Sequence, residues 1–166
     1  MEQDNKVSQI TGRTTGQTKD QTIDQFAMTV QAGHLIRRCQ QRAVDLFTEE
    51  VTSDLGNDGP TPRQFAVMLE VHQEPGINQT DLVRKLGIDR STLTEILRRL
   101  IDRKLIRREK SPTDGRTNAL YITDQGETLL HQALPAVIRA QQRILAPIAA
   151  EQVEEVMAAL EILAGD

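Results

Sequence analysis

A chain of 166 residues has room for one domain of ordinary size, and its 38% apolar and 27% charged residues are the make-up of a globular protein. No apolar run approaches the roughly 20 residues of a membrane span, and MEQDNKVSQITGRTTGQTKDQT at the N-terminus lacks the apolar core of a secretory signal. The net charge is −4, yet residues 78–123 hold 11 Lys/Arg against 6 Asp/Glu, a local +5 set against −9 in the remainder.

Residues 1–22 are rich in Thr, Gln and Gly, with Val7 and Ile10 as the sizeable apolar side chains after Met1. Such a segment buries too little to offset its ordering entropy and reads as a flexible arm. From about Ala27 to Val51, Leu35, Ile36, Cys39, Ala43, Leu46, Phe47 and Val51 recur at helical spacing. Ser53–Pro60 reads as a loop from its Gly, Asn, Asp and Pro content. Thr61-Pro62-Arg63-Gln64 starts a helix, with Thr as cap, Pro at the first helical position and Gln at the third. Phe65, Met68, Leu69 and His72 form its inward face, and Pro75-Gly76 ends it.

Asn78 caps a short helix with Leu82, Val83 and Leu86 inward and Gly87 as a left-handed stop. Asp89 caps the next, whose apolar residues are Leu93, Ile96, Leu97, Leu100, Ile101 and Leu105. Ile106–Glu109 and Ala119–Ile122 read as the strands of a hairpin with a long polar tip. Thr123 caps a long helix reaching about Leu145, with Asp124 and Glu127 in its first turn and Pro135 as an expected kink. Pro147 breaks the chain, and a last helix from Glu151 carries Val153, Val156, Met157, Leu160 and Leu163.

Two short helices joined at a tight glycine turn and followed by a hairpin make a winged helix-turn-helix within a mainly α chain. The second helix of such a pair fits the major groove of double-stranded DNA. Arg90, Ser91, Thr92, Thr94, Glu95 and Arg98 supply outward polar groups that reach base edges and phosphates. Arg98, Arg99, Arg103, Lys104, Arg107 and Arg108 supply attraction to the phosphates whatever the sequence. The competing reading of Arg98 and Arg99 is a solvated helix face. Three Phe, one Tyr and no Trp argue against stacking on single strands.

The run NQTDLVRKLGIDRSTLTEILRRLIDRKLIRREKSPTDGRTNALYITDQG resembles the DNA-binding core of the MarR family of bacterial regulators. The most specific part is Asp114-Gly115-Arg116, followed by Leu120-Tyr121-Ile122-Thr123 and Gly126. In element order the resemblance covers about residues 30–163. It implies that Arg116 enters the minor groove with Asp114 holding it in place; a pair that merely fixes the turn is the alternative. It implies a homodimer through residues 27–56 and 124–163, around a DNA-binding lobe at 60–123. It further implies repression of an inverted-repeat operator, relieved by a small anionic effector, an aromatic acid or its CoA thioester, in aromatic compound catabolism. The N-terminal arm departs from the family and takes no role.

The effector region implied by the resemblance draws on His34, Arg37, Arg38, Cys39, Arg42, Phe65, Met68 and His72. Arg37, Arg38 and Arg42 lie near one another on a helix and suit a carboxylate or phosphates, unless they are simply solvated. Cys39, the single cysteine, forms no intrachain disulfide, which fits a reducing cytoplasm. It falls on the apolar face, where burial raises a thiol pKa and favours inert packing over redox sensing, the alternative switch. No His, Cys or carboxylate spacing suits a metal, so neither metal nor cofactor is expected. His34, His72 and His131 stand without a nucleophile elbow, phosphate loop or paired carboxylates, so no enzyme is expected. An architectural DNA binder without effector is the third class.

Overall fold

The computed structural model describes residues 31–110 and 118–165. In chain order these form α1 (Ala32–Leu55), α2 (Pro62–Gln73), α3 (Gln79–Leu86), α4 (Arg90–Asp102), β1 (Ile106–Lys110), β2 (Asn118–Ile122), α5 (Asp124–Leu145) and α6 (Val153–Ala164). The described residues divide into two units between Ala43 and Val44, with α1 beginning in the first and ending in the second.

Within the second unit α1 buries Leu46, Phe47 and Val51 and continues to Leu55, beyond the expected loop start at Ser53. Tertiary ion pairs override the loop-like composition there. Glu50 and Asp54 each accept from Arg139 of α5 at 2.8 Å, and Arg143 donates to Glu50 at 2.7 Å and to Glu49 at 3.1 Å. A single 3-10 turn, Gly56–Asp58, then ends the segment.

The start of α2 is fixed as its sequence demands. Thr61 Oγ1 accepts from the Gln64 N–H at 3.3 Å, and Gln64 Oε1 accepts from the Thr61 N–H at 3.0 Å, a closed capping box followed by Pro62. The helix buries Phe65, Val67, Met68 and Val71, a wider face than the sequence periodicity suggested. It is flanked by α3, α4, α5 and β2, so residues on more than one side of it are covered. Around it lie Leu82, Leu93, Leu97, Leu100, Leu105, Ile106 and Leu120, all fully buried. Each such side chain contributes about 1.5–3 kcal/mol over leaving it exposed.

β1 and β2 pair antiparallel, with Ile106 opposite Ile122 and Arg107 opposite Tyr121. A third extended segment joins them, which the sequence did not suggest: the Gly76 N–H donates to Leu120 O at 2.8 Å and the Leu120 N–H to Ile77 O at 3.0 Å. The hairpin tip, residues 111–117, and the N-terminal arm lie outside the described residues.

Thr123 caps α5 by accepting from the Gly126 N–H at 3.1 Å. The helical run continues through Pro135, whose missing N–H leaves the His131 carbonyl without its helical donor. After Pro147, a 3-10 turn at Ala150–Gln152 leads into α6, two residues later than the expected start. No residue of α6 is buried among the described residues, and Met157, Leu160, Ile162 and Leu163 are 42–76% exposed.

Candidate nucleic-acid interface

The helix-turn-helix is held by short polar contacts. Asn78 Oδ1 accepts from the N–H groups of Thr80 and Asp81 at 2.9 and 3.0 Å, satisfying the first orphan donors of α3. Gly87 follows α3 at φ +59°, the left-handed conformation that ends a helix most cheaply with glycine. Asp89 Oδ1 then accepts from the Thr92 N–H at 2.9 Å and the Ser91 hydroxyl at 2.5 Å. The Ser91 and Thr92 hydrogen bonds hold the Asp89 carboxyl far below the usual carboxylate range, so it caps α4 as an anion at the positive end of the helix.

Two side-chain bonds set the two helices against each other. Gln79 Nε2 donates to Thr94 Oγ1 at 2.7 Å, and Arg90 Nη2 donates to Thr80 Oγ1 at 3.2 Å. Thr94 also donates to the Arg90 carbonyl at 2.7 Å. Buried Leu93, Ile96, Leu97 and Leu100 anchor the opposite face of α4, leaving its polar face outward.

That face is not a row of free cations. Glu95 accepts from Arg98 Nε at 2.9 Å and Nη2 at 2.8 Å, and from Arg99 Nε at 2.8 Å. Arg98 Nη1 donates to Asp102 at 3.0 Å. The Arg98 and then the Arg99 hydrogen bonds push the Glu95 carboxyl down to about 2. Arg103, expected among the phosphate contacts, turns instead to the α1–α2 connection and donates to the Asp58 carbonyl at 2.7 Å. Arg107 lies over the Tyr121 ring at 4.6 Å, a cation–π contact, and pairs with Glu109. Arg108 is exposed on β1.

Lys104 closes α4 in the left-handed region at φ +58°. The Leu105 N–H donates to Leu100 O at 2.9 Å and the Lys104 N–H to Ile101 O at 2.8 Å, a Schellman ending with lysine where glycine is usual.

Beside α4 runs an open groove of about 430 Å³, lined by Thr61, Arg63 and Gln64 from the start of α2 and by Ser91, Thr92, Glu95, Ile96 and Arg99. A smaller hollow joins Asn78, Gln79 and Thr80 to Arg108, Asn118 and Leu120. Arg63, Gln79 and Thr80 were not singled out from the sequence as site residues. Their signal was position: each sits in the first turn of its helix, beside the cap. Asp114 and Arg116 lie outside the described residues.

The candidate effector residues divide between the two units. In the first, Arg37, Arg38 and Arg42 are exposed, and Arg37 Nη2 lies 3.4 Å from His34 Nδ1. Cys39 is exposed rather than buried, because the apolar stripe that it shares with Leu35 and Ile36 is itself exposed in the single chain. In the second, Met68 is fully buried and Phe65 is 7% exposed, its ring edge-on to Phe47 at 5.9 Å. Both belong to the hydrophobic core of the lobe. His72 is half-buried, 3.8 Å from Glu127.

Comparison with known proteins bears on this site directly. The sequence profile of the MarR family matches residues 61–117. The transcriptional regulator HosA of Escherichia coli O111:H- is 31% identical over 129 residues, 78% of this chain and 91% of HosA. The chain belongs to the MarR family. Two solved MarR-type structures share its fold. The PcaV transcriptional regulator of Streptomyces coelicolor, solved with its natural ligand, has a TM-score of 0.75 at 31% identity, over 84% of this chain and 95% of PcaV. The transcriptional repressor CouR, solved on a 23-mer DNA duplex, has a TM-score of 0.74 at 28% identity, over 88% of this chain and 99% of CouR. As a MarR regulator this protein acts in transcription, with α2, α3, α4 and the β1–β2 hairpin forming its winged helix-turn-helix. No helix among the described residues is long and apolar enough to cross a membrane.

Proposed function

We propose that the chain is a homodimeric repressor that lays α4 of each copy in a major groove of an inverted repeat and leaves the DNA when a small anionic effector binds. The α3–Gly87–α4 turn carries this reading, because it presents Arg90, Ser91, Thr94 and Arg98 on one outward face, with Thr92 at its flank. Likeness to CouR, a repressor solved on duplex DNA, supports it. Ser91, Thr94 and Arg98 read base edges, each good contact contributing about 1–3 kcal/mol of discrimination. Arg63, Arg99, Lys104 and Arg108 meet phosphates, and Arg116, supported by Asp114, enters the minor groove. Footprinting tests the reading: two protected half-sites related by a two-fold axis are expected, with recognition helices roughly 34–36 Å apart or a near multiple. A single asymmetric half-site overturns it. Arg116→Ala is expected to weaken binding across operators alike, and unchanged affinity at physiological salt removes the wing from the site.

The dimer reading draws on exposed apolar side chains. Leu134 and Ile138 lie one turn apart on α5, and α6 exposes Met157, Leu160, Ile162 and Leu163. A stable monomer by light scattering at micromolar concentration overturns it.

For the effector, Arg37, Arg38 and Arg42 suit an anion, and PcaV supports a ligand-responsive regulator by having been solved with its natural ligand. An aromatic carboxylate or its CoA thioester fits such a cluster. To relieve repression it must bind the DNA-incompetent arrangement more tightly than the competent one. Displacement of operator by a panel of both compound types tests this. A response equal in wild type and in the variant with all three arginines changed to alanine excludes the cluster as the anion site.

A further inference from the structure

We propose that Glu95 restrains DNA binding by competing with DNA for Arg98 and Arg99, a positioning role distinct from reading a base. The inference rests on the DNA-binding reading above. Its starting point is the sharing of one carboxylate by two arginines on the outward face of α4. Glu95 Oε1 accepts from both guanidinium groups at 2.8 Å, and Oε2 accepts from Arg98 at 2.9 Å. With Asp102 on the remaining nitrogen at 3.0 Å, all three nitrogens of Arg98 are already engaged. The guanidinium is thus held along the helix between residues 95 and 102.

DNA can recruit either arginine only by displacing a carboxylate from it. That exchange returns only one charge-assisted bond for another, while Glu95 itself is left facing phosphates that repel it. Contacts from Ser91 and Thr94 to base edges on the right sequence add affinity without changing the cost of the exchange. Glu95 therefore lowers the affinity for random and selected duplexes alike. The carboxylate is a constant competitor, since the two arginines keep it ionised throughout the neutral range. Had Glu95 served to accept a hydrogen bond from a cytosine amino group, its removal would relax one base pair and gain nothing on random DNA.

The test uses the full chain, fluorescence anisotropy, a pool of random-sequence duplexes and the tightest-binding duplex selected from that pool. Glu95 is 45% exposed, so Glu95→Gln should fold normally. It is expected to bind the random pool and the selected duplex about fivefold tighter alike, as befits exposed pairs of modest strength. The ratio of the two affinities should stay unchanged. In an Arg98→Ala/Arg99→Ala background the same substitution is expected to have no effect on the random pool. Random-pool affinity that is unchanged or weaker in Glu95→Gln overturns the proposal. A gain that persists without the two arginines also overturns it, because it reports only the lost negative charge. Wild type that binds no duplex at low salt overturns the DNA-binding reading itself, and this inference with it.

Discussion

Arg103 Nη2 donates to the backbone carbonyl of Asp58 at 2.7 Å, joining residues 45 apart in sequence. The bond ties the C-terminal end of α4 to the turn between α1 and α2, so it fixes where the recognition helix ends. Arg103→Ala is expected to weaken operator binding several-fold while leaving the slope of log K against log salt unchanged. If Arg103 neutralised a phosphate instead, its removal would lower that slope by about 0.9. Titrations at a series of salt concentrations separate the two outcomes.

Gly126 is buried at the first turn of α5, and a Cβ there would stand 2.1 Å from the Leu105 carbonyl oxygen and 2.7 Å from Ile122 Cδ1. One of those neighbours is backbone and cannot swing aside. Gly126→Ala is expected to destabilise the fold by about 3 kcal/mol. Urea unfolding should show an earlier midpoint at an unchanged m value.

Lys104→Gly is expected to act in the opposite direction on stability. Lys104 holds φ +58°, a conformation that costs a side-chain-bearing residue about 1–2 kcal/mol and costs glycine little. Glycine's greater freedom in the unfolded chain takes back part of the gain, leaving roughly 1 kcal/mol of stabilisation. Calorimetry should therefore find a higher Tm, and anisotropy a lower DNA affinity, in the same variant.

Acid should weaken the fold through Glu50 and Glu95. Hydrogen bonds from Arg139 and then Arg143 lower the Glu50 carboxyl from its ordinary 4.5, and Arg98 and then Arg99 take Glu95 down to about 2. Both carboxylates ionise more readily folded than unfolded, so their contribution is complete above pH 4.5 and is lost as the pH falls through the folded values. Lys85 has the opposite sign. Glu70 and then Glu74 raise it above 10.5, so its contribution holds below that pH and fades as alkali titrates the folded ammonium. Urea midpoints between about pH 6 and about pH 3 should fall less steeply in Glu50→Gln than in wild type.

The helix starts were legible because their capping chemistry is local. Thr61, Asn78, Asp89 and Thr123 each accept the backbone bond that their sequence context announced. What escaped the sequence depends on distant partners. Ser53 and Asp54 read as loop until Arg139 pairs with Glu50 and Asp54. Val67 and Val71 fell off the expected stripe, yet both are fully buried because neighbours cover α2 on more than one side. The outward face of α4 was correctly placed, whereas its pairing was missed: spacing puts Glu95 within reach of Arg98 and Arg99, but does not say that one carboxylate takes both.

Thr123 brings three elements to one hydroxyl. Its Oγ1 donates to Lys104 O at 2.7 Å, just past the end of α4, and accepts from Gly126 at 3.1 Å in α5, while its own N–H donates to Leu105 O at 3.1 Å as β2 ends. The root of α5 and the tail of the recognition helix are therefore tied at one residue with no free loop between them, so a displacement of the α5 root is passed to the end of α4 instead of being absorbed in slack chain.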